Sequence, residues 1–509
     1  MKGVVAAGHP VTAEAGAAVL RDGGNAVDAA VAAVLMSFAA ESPLTGPGAG
    51  GFMLVHTASG EDHLLDFFVA APGKGLTGVE PAALEPIDVH FSKEAVQVFN
   101  IGPSSCGVYG TTLGLCQALD HFGTASLADL AAPAASAARD GVEVTPLGAL
   151  LLVILGPILT SRPEGRAIYA PDGRLLQAGE NIRIPELAGL LERLGAEGPR
   201  FLYEGDTAKT ISTHVLERGG LLSEEDLSGY EVVERKPARA TYRGREILTN
   251  PPPSSGGILI AYSLDLLSRL ERPGDLRALV EVMDATNSAR TEEFVSGLHS
   301  EGYLERFLHK EAIESAVHGI GSRLGSTTHL AVLDEEGACV SVTCSNGSCS
   351  GVIVPGTGVH LNNMLGEQDL NPYGYHRHEP GRRIPSMMAP TVVLRDGKPE
   401  VALGSAGSNR IRSAILQTIL AVVDDGLAAQ DAVDRPRIHF ERGVVEAEPG
   451  VDSGQLDALE REGLEVRRFA EKSLYFGGAQ AVARDPRTGE LSGGGDPRRG
   501  GAAVLVDCG

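Results

Sequence analysis

Hydrophobic and polar positions alternate most clearly about two thirds of the way along the chain. From Thr327 to Asp334 the sequence reads Thr-Thr-His-Leu-Ala-Val-Leu-Asp, and from Gly337 to Thr343 it reads Gly-Ala-Cys-Val-Ser-Val-Thr. A period of two predicts paired strands, and the turn residues Asp334-Glu335-Glu336-Gly337 between them predict a hairpin. Elsewhere the period lengthens. Residues 12 to 22 predict a short helix stopped by Gly23-Gly24. Asn25 then caps an alanine-rich helix reaching about Ala40, with Asp28 favourably placed in its first turn.

Further strands are predicted at Phe52–His56 and Arg245–Thr249. Ile411, Ile415, Leu416, Ile419 and Leu420 fall at helical spacing after a strand around Val401. Residues 184 to 230 predict surface helices, with Phe201-Leu202-Tyr203-Glu204-Gly205 between two of them. The run Leu147 to Thr160 is too short to span a bilayer and holds Gly156 and Pro157, so a buried core helix is expected. Three consecutive prolines, Pro251 to Pro253, cannot donate ladder hydrogen bonds and mark a rigid loop before a helix from Ile258.

Composition narrows the field. With 509 residues and 43% apolar content the chain can bury a large core. A formal charge of -23 gives no basic surface for phosphates, which argues against a nucleic-acid partner. The six cysteines show neither metal nor disulfide-framework spacing, so reduced thiols are expected. The N-terminal apolar stretch is too short for a signal peptide. A cytoplasmic enzyme with no membrane partner is expected, unless the start was placed too late.

The strand beginning at Thr327 carries the chemistry. A cut before Thr327 would leave a hydroxyl beside a free α-amine, whose reference pKa of roughly 7.7–8.0 suits it to take the hydroxyl proton. The segment 309 to 326, with Gly319, Gly321 and Gly325, would then bend so that the threonine attacks the Ser326 carbonyl. A threonine ahead of a strand is by itself an ordinary strand start, so the wider context has to decide. Two other motifs are weaker. Gly46 to Gly51 matches a dinucleotide pattern, but a helix precedes it and a strand follows, the reverse of what that motif needs. Gly347-Ser348-Cys349-Ser350-Gly351 resembles a nucleophile elbow, yet an extended stretch follows where a helix is required. His376 and His378 lack a third ligand at metal spacing, and no cofactor is expected.

The stretch Thr327 to Asn363, with Thr-Thr-His, Asn346 and Leu361-Asn362-Asn363, closely resembles the start of the small subunit of γ-glutamyltranspeptidases, self-cleaving N-terminal-nucleophile hydrolases. Gly23 to Ala30, Asn250 to Gly257 and the closing Asp496-Pro497-Arg498 extend the resemblance over nearly the whole chain. It implies an α+β fold, a four-layer αββα sandwich with the nucleophile at the mouth between two sheets. It also implies a large segment, 1 to 326, and a small one, 327 to 509, intertwined after cleavage.

The resemblance further implies that Ser345, or Thr343 if the spacing slips, hydrogen-bonds Thr327, and that Asn346 binds the donor. The backbone amides of Gly407 and Ser408, where relatives use two glycines, would form the oxyanion hole. Departures from the family pattern cluster in the donor pocket. Phe68 stands where relatives place an arginine that forks onto a γ-glutamyl carboxylate, and Met387 replaces a serine beside Ser386. Met364 replaces an amide, while Glu367 keeps a charge for the donor's ammonium. A small-molecule acyl donor other than glutathione, with water or an amine as acceptor, is the expectation. The alternatives are true γ-glutamyl chemistry, with Arg382 or Arg383 replacing the lost arginine, and a non-catalytic binding protein.

Overall fold

The computed structural model describes residues 2–90, 96–270, 275–300, 302–308, 327–371 and 374–507. Two antiparallel sheets lie at its centre. The first runs in the order Ala502–Val506, Gly3–Ala7, Thr328–Asp334, Cys339–Ser345, Gly50–His56, Asp62–Phe67 and Val233–Arg235. The second runs Leu491–Gly494, Gly478–Arg484, Lys398–Ala406, Thr391–Arg395, Arg245–Thr249 and Ala238–Tyr242. Each sheet mixes strands from before and after residue 327.

Side-chain alternation sets the layers. Leu330, Val332, Val340, Val342, Met53 and Val55 face outward onto the helices Pro10–Arg21 and Ala26–Ala40. Their neighbours Ala331, Leu333, Cys339, Phe52 and Leu54 face inward and meet Leu248, Val392, Leu394, Ala402 and Val482 from the second sheet. The other face of that second sheet, with Ile247, Val393, Val401, Leu403 and Ala481, packs on Ser255–Ser268, Leu276–Ser288 and Arg410–Val423. The result is the αββα sandwich. A polar tie crosses it, because the buried Ser341 hydroxyl donates to the Leu403 carbonyl (2.9 Å) and accepts the Thr391 N–H (3.1 Å).

Local signals act as the sequence predicts. The Asn25 side chain accepts from Val27 and Asp28 N–H, and Asp28 answers with a bond from the Asn25 N–H, a capping box contributing about 1 kcal/mol. The close of the chain is held by a buried ion cluster. Arg437 and Arg498 flank Asp496 at 2.8 and 3.1 Å, and Arg498 also reaches Glu448 at 2.5 Å.

The helix Pro146–Leu159 departs from expectation. Leu152, Leu155, Ile158 and Leu159 are buried, but Leu150 and Val153 are 44% and 64% exposed, so it lies on the surface. Its apolar residues run all round the helix, and periodicity could not show which side meets water. The segment 309 to 326, including Ser326 and the three glycines, and Cys508 lie outside the described residues. The five described cysteines are free and buried, and among the described residues no helix is long and apolar enough to cross a membrane.

Candidate active site

The register of the hairpin positions Thr327. Thr328 lies opposite Cys344 and His329 opposite Thr343, so Thr327 falls opposite Ser345 at the strand ends. Odd-numbered residues of this strand face between the sheets, and Thr327 shares that side. Its hydroxyl lies 3.3 Å from the Ser345 hydroxyl and donates to it, while the Gly347 N–H donates to the same oxygen at 2.8 Å. Thr343 is engaged elsewhere, with its hydroxyl 2.8 Å from His329 Nδ1.

His329 lies beneath the nucleophile, sandwiched between the sheets. A side chain at Gly404 would put its Cβ 2.4 Å from the imidazole, so only glycine leaves room there. Burial pushes the His329 imidazole down to about 3, and its Nε2 has no hydrogen-bond partner among the described residues. On the opposite face of the strand, Glu41 caps the helix end and accepts the hydroxyls of Thr328 (2.5 Å) and Thr12 (2.8 Å). Burial pushes this carboxyl up, against the two hydrogen bonds. One side of the nucleophile strand is thus held by a neutral imidazole and the other by a buried carboxyl.

A cleft of about 40 Å³ opens in front of Thr327. Of the residues singled out from sequence, it collects Thr327, Ser345, Phe68, Met364, Glu367, Ser386, Met387 and Ser408 around it. Phe68 is buried and stacked on Phe52, with ring centroids 5.2 Å apart. The Ser348 hydroxyl donates to Glu367 at 2.8 Å. Ser386 and Met387 are presented by the proline loop, where Ser254 Oγ, Ser255 N and Gly256 N all donate to the Ser386 carbonyl.

Gly407 and Ser408 form the turn between the strand Lys398–Ala406 and the helix Arg410–Val423, with φ of 124° and 53°. Their carbonyls accept the N–H groups of Arg410 and Ile411; Ser408 lines the cleft, and Gly407, packed near Gly477, is not among the lining residues. The Ser408 hydroxyl donates to Asp369 at 2.6 Å.

Asn346 does not line the cleft. The residue after the strand end turns to the opposite face, where Asn346 is fully buried beside Leu44, Gly46 and Cys349. Gly347 takes the position at the cleft instead. Neither replacement arginine reaches the cleft. Arg383 is bound to Asp66 and stacks over the Tyr230 ring at 4.3 Å, and Arg382 is 3.8 Å from Glu379 at the surface. Cys349 has its thiol pushed up to about 12 by burial and donating to the Pro43 carbonyl, which gives no thiolate for an elbow-type nucleophile. His376 bonds the Ser104 carbonyl at 2.8 Å.

Three neighbours of the nucleophile were not singled out from sequence. Asp369 lies two residues beyond Glu367 in a loop without periodicity, and Gly347 is displaced by the same one-residue shift that removes Asn346. Glu41 did leave a signal, as a lone acid ending an apolar helix. A larger groove of about 890 Å³ lies among the outer helices of the second sheet, lined by Arg245, Gln417, Leu420 and Arg437, and holds none of these groups.

The fold recurs in known proteins. A solved cephalosporin acylase from Bacillus halodurans superposes with a TM-score of 0.83 at 27% identity, over 100% of this chain and 96% of that one. An acylase ACY 1 proenzyme from Pseudomonas sp. (strain V22) is 31% identical over 100% of this chain and 94% of its own length. A glutathione hydrolase proenzyme from Bacillus subtilis (strain 168) is also 31% identical, over 99% and 92%. The family model for gamma-glutamyltranspeptidase matches residues 12–506. With that match spanning nearly every residue, and with the sandwich and the threonine-headed strand in place, the chain is an enzyme that belongs to the γ-glutamyltranspeptidase family.

Proposed function

We propose that the chain cuts itself before Thr327 and then works as an N-terminal-threonine amidohydrolase or acyltransferase on a donor other than glutathione. In the first step the Thr327 hydroxyl attacks the Ser326 carbonyl carbon, the peptide C–N bond breaks, and the nitrogen takes the hydroxyl proton. Water hydrolyses the resulting ester and frees the α-amine. Segments 1 to 326 and 327 to 509 remain one folded unit through their shared sheets. In turnover that amine accepts the hydroxyl proton as Thr327 attacks the donor amide. The N–H groups of Gly407 and Ser408 stabilise the oxyanion, the leaving amine takes the proton, and water or an acceptor amine resolves the acyl-enzyme.

The composition of the cleft wall carries the reading of the donor. Phe68, Met364, Leu370, Met387, Met388 and Ile411 supply apolar surface, Glu367 and Asp369 supply acid, and among the described residues no basic side chain lines it. The α-carboxylate of a γ-glutamyl group would be buried there without a cationic partner, which costs ~1–3 kcal/mol or more. Its ammonium would find Glu367. The methionines are flexible enough to widen the cleft around an acyl chain. The acylases among the similar proteins favour the same reading.

A panel of p-nitroanilides tests this with the purified protein. The 4-aminobutyryl compound is a γ-glutamyl group without its carboxylate, and the glutaryl compound is one without its ammonium. The 4-aminobutyryl donor is expected to exceed γ-glutamyl in kcat/KM by ~10–100-fold, from the unpaired carboxylate, with glutaryl slowest. A γ-glutamyl donor turned over fastest would return the chain to glutathione-type chemistry.

A further inference from the structure

The turn that carries the oxyanion amides contains a residue whose backbone needs support. Ser408 has φ of 53°, the left-handed region that strains an L side chain. Glycine would adopt that region without help, whereas serine needs a restraint. Ser408 is held in place by its own side chain, through the 2.6 Å hydrogen bond it donates to Asp369 Oδ2.

Asp369 is well placed to act as an anchor. It is 5% exposed and forms part of the same cleft as Thr327. Its loop is pinned from behind by Asn371, whose side-chain amide donates to the carbonyls of Met364 (2.9 Å) and Glu367 (2.8 Å). Arg290 spans the same two segments, donating to the Asn409 side chain at 3.2 Å and to the Asp369 carbonyl at 3.5 Å. The donor-side loop and the oxyanion turn are therefore joined by a direct side-chain bond and a cationic bridge.

We propose that Asp369 is a positioning residue for catalysis: by accepting the Ser408 hydroxyl it holds residue 408 left-handed, so that the backbone amides of the turn face the carbonyl attacked by Thr327. The inference rests on the reading of Thr327 and the 407–408 turn given above. It also explains how serine is accommodated in a left-handed turn.

A double-mutant cycle separates positioning from plain structural support. Asp369→Ala, Ser408→Gly and the double variant are compared on whichever of the 4-aminobutyryl, hexanoyl and γ-glutamyl p-nitroanilides the wild type hydrolyses fastest. Asp369→Ala is expected to lower kcat by ~10–100-fold, a misplaced rather than absent oxyanion donor, with KM within about threefold. In the Ser408→Gly background the same substitution is expected to change kcat less than threefold, because glycine holds the turn unaided. An equal loss in both backgrounds would overturn the proposal.

Asp369→Asn keeps an acceptor for Ser408, and a loss of tenfold or more in this folded variant would likewise overturn it. A crystal structure of Asp369→Ala gives a readout independent of turnover: residue 408 should leave the left-handed region, and Ser408 unmoved at its present φ would contradict the inference. Thr327→Ala serves as the separate control, since retained hydrolysis there would refute the nucleophile while the crystal structure still decides the role of Asp369.

Discussion

Gly256 lies in the first turn of the helix Ser255–Ser268, in sequence far from Thr327, yet its substitution by alanine should damage catalysis. The Gly256 N–H donates to the Ser386 carbonyl at 3.2 Å, and an added Cβ would lie 2.1 Å from the Met387 carbonyl oxygen and 2.6 Å from its carbon. Both atoms are backbone, so no rotamer change relieves the clash. The segment Ser386-Met387-Met388, which forms one wall of the cleft, has to retreat by roughly 1 Å, and a misplacement of that size costs ~10²-fold in rate. Overpacking adds a stability loss of ~1–3 kcal/mol. Steady-state kinetics on the anilide panel and urea unfolding would be run beside Gly189→Ala, a helix position with nothing within 4 Å of the added carbon. Gly256→Ala should lose ~10²-fold in kcat/KM while Gly189→Ala is unharmed. If Gly256→Ala kept kcat/KM within twofold and its unfolding midpoint unchanged, the close approach of this helix start to the cleft wall would be refuted.

Ser345→Ala removes the acceptor of both the Thr327 hydroxyl and the buried Gly347 N–H. A loss of stability of ~1–3 kcal/mol is expected from the orphaned donor, with kcat reduced and largely restored in Ser345→Thr; unchanged kcat in Ser345→Ala would remove this residue from the site. Stability should fall as pH drops below the ordinary histidine value of 6.5, because His329 is held near 3 in the fold and the unfolded chain binds the extra proton. The slope from His329 reaches about 1.4 kcal/mol per pH unit, read by urea unfolding of the uncut Thr327→Ala chain at pH 7, 6 and 5. Glu41, whose carboxyl is raised, acts with the opposite sign above 4.5, so Glu41→Gln should steepen that slope. A flat pH response in both would show that His329 is not buried as a neutral ring.

Much of this site could be read from the sequence because its parts obey short-range rules. The alternation from Thr327 to Leu333 fixes both the strand and the face the threonine shares, and the passage from Val401 to Leu420 gives a strand, a tight turn and a helix in order. What escaped depended on register or on distant partners. The strand ends at Ser345, which turns Asn346 to the outer face and brings Gly347 to the cleft, a swap that follows from the period of two only once the strand end is known. Arg383 reads as a free guanidinium until Asp66, 317 residues away, is seen to hold it. Asp369 lies in a loop, where no periodicity points a side chain. The helix Pro146–Leu159 is apolar on every side, so its exposed edge is set by tertiary packing alone.

The measurement that bears most directly on the account is intact mass with N-terminal sequencing of the purified wild type beside Thr327→Ala. Two fragments from wild type, the smaller beginning at Thr327, with one uncut chain from the variant, are the predicted result. A single uncut chain of 509 residues from both would contradict it, because no free α-amine would then exist to activate the Thr327 hydroxyl.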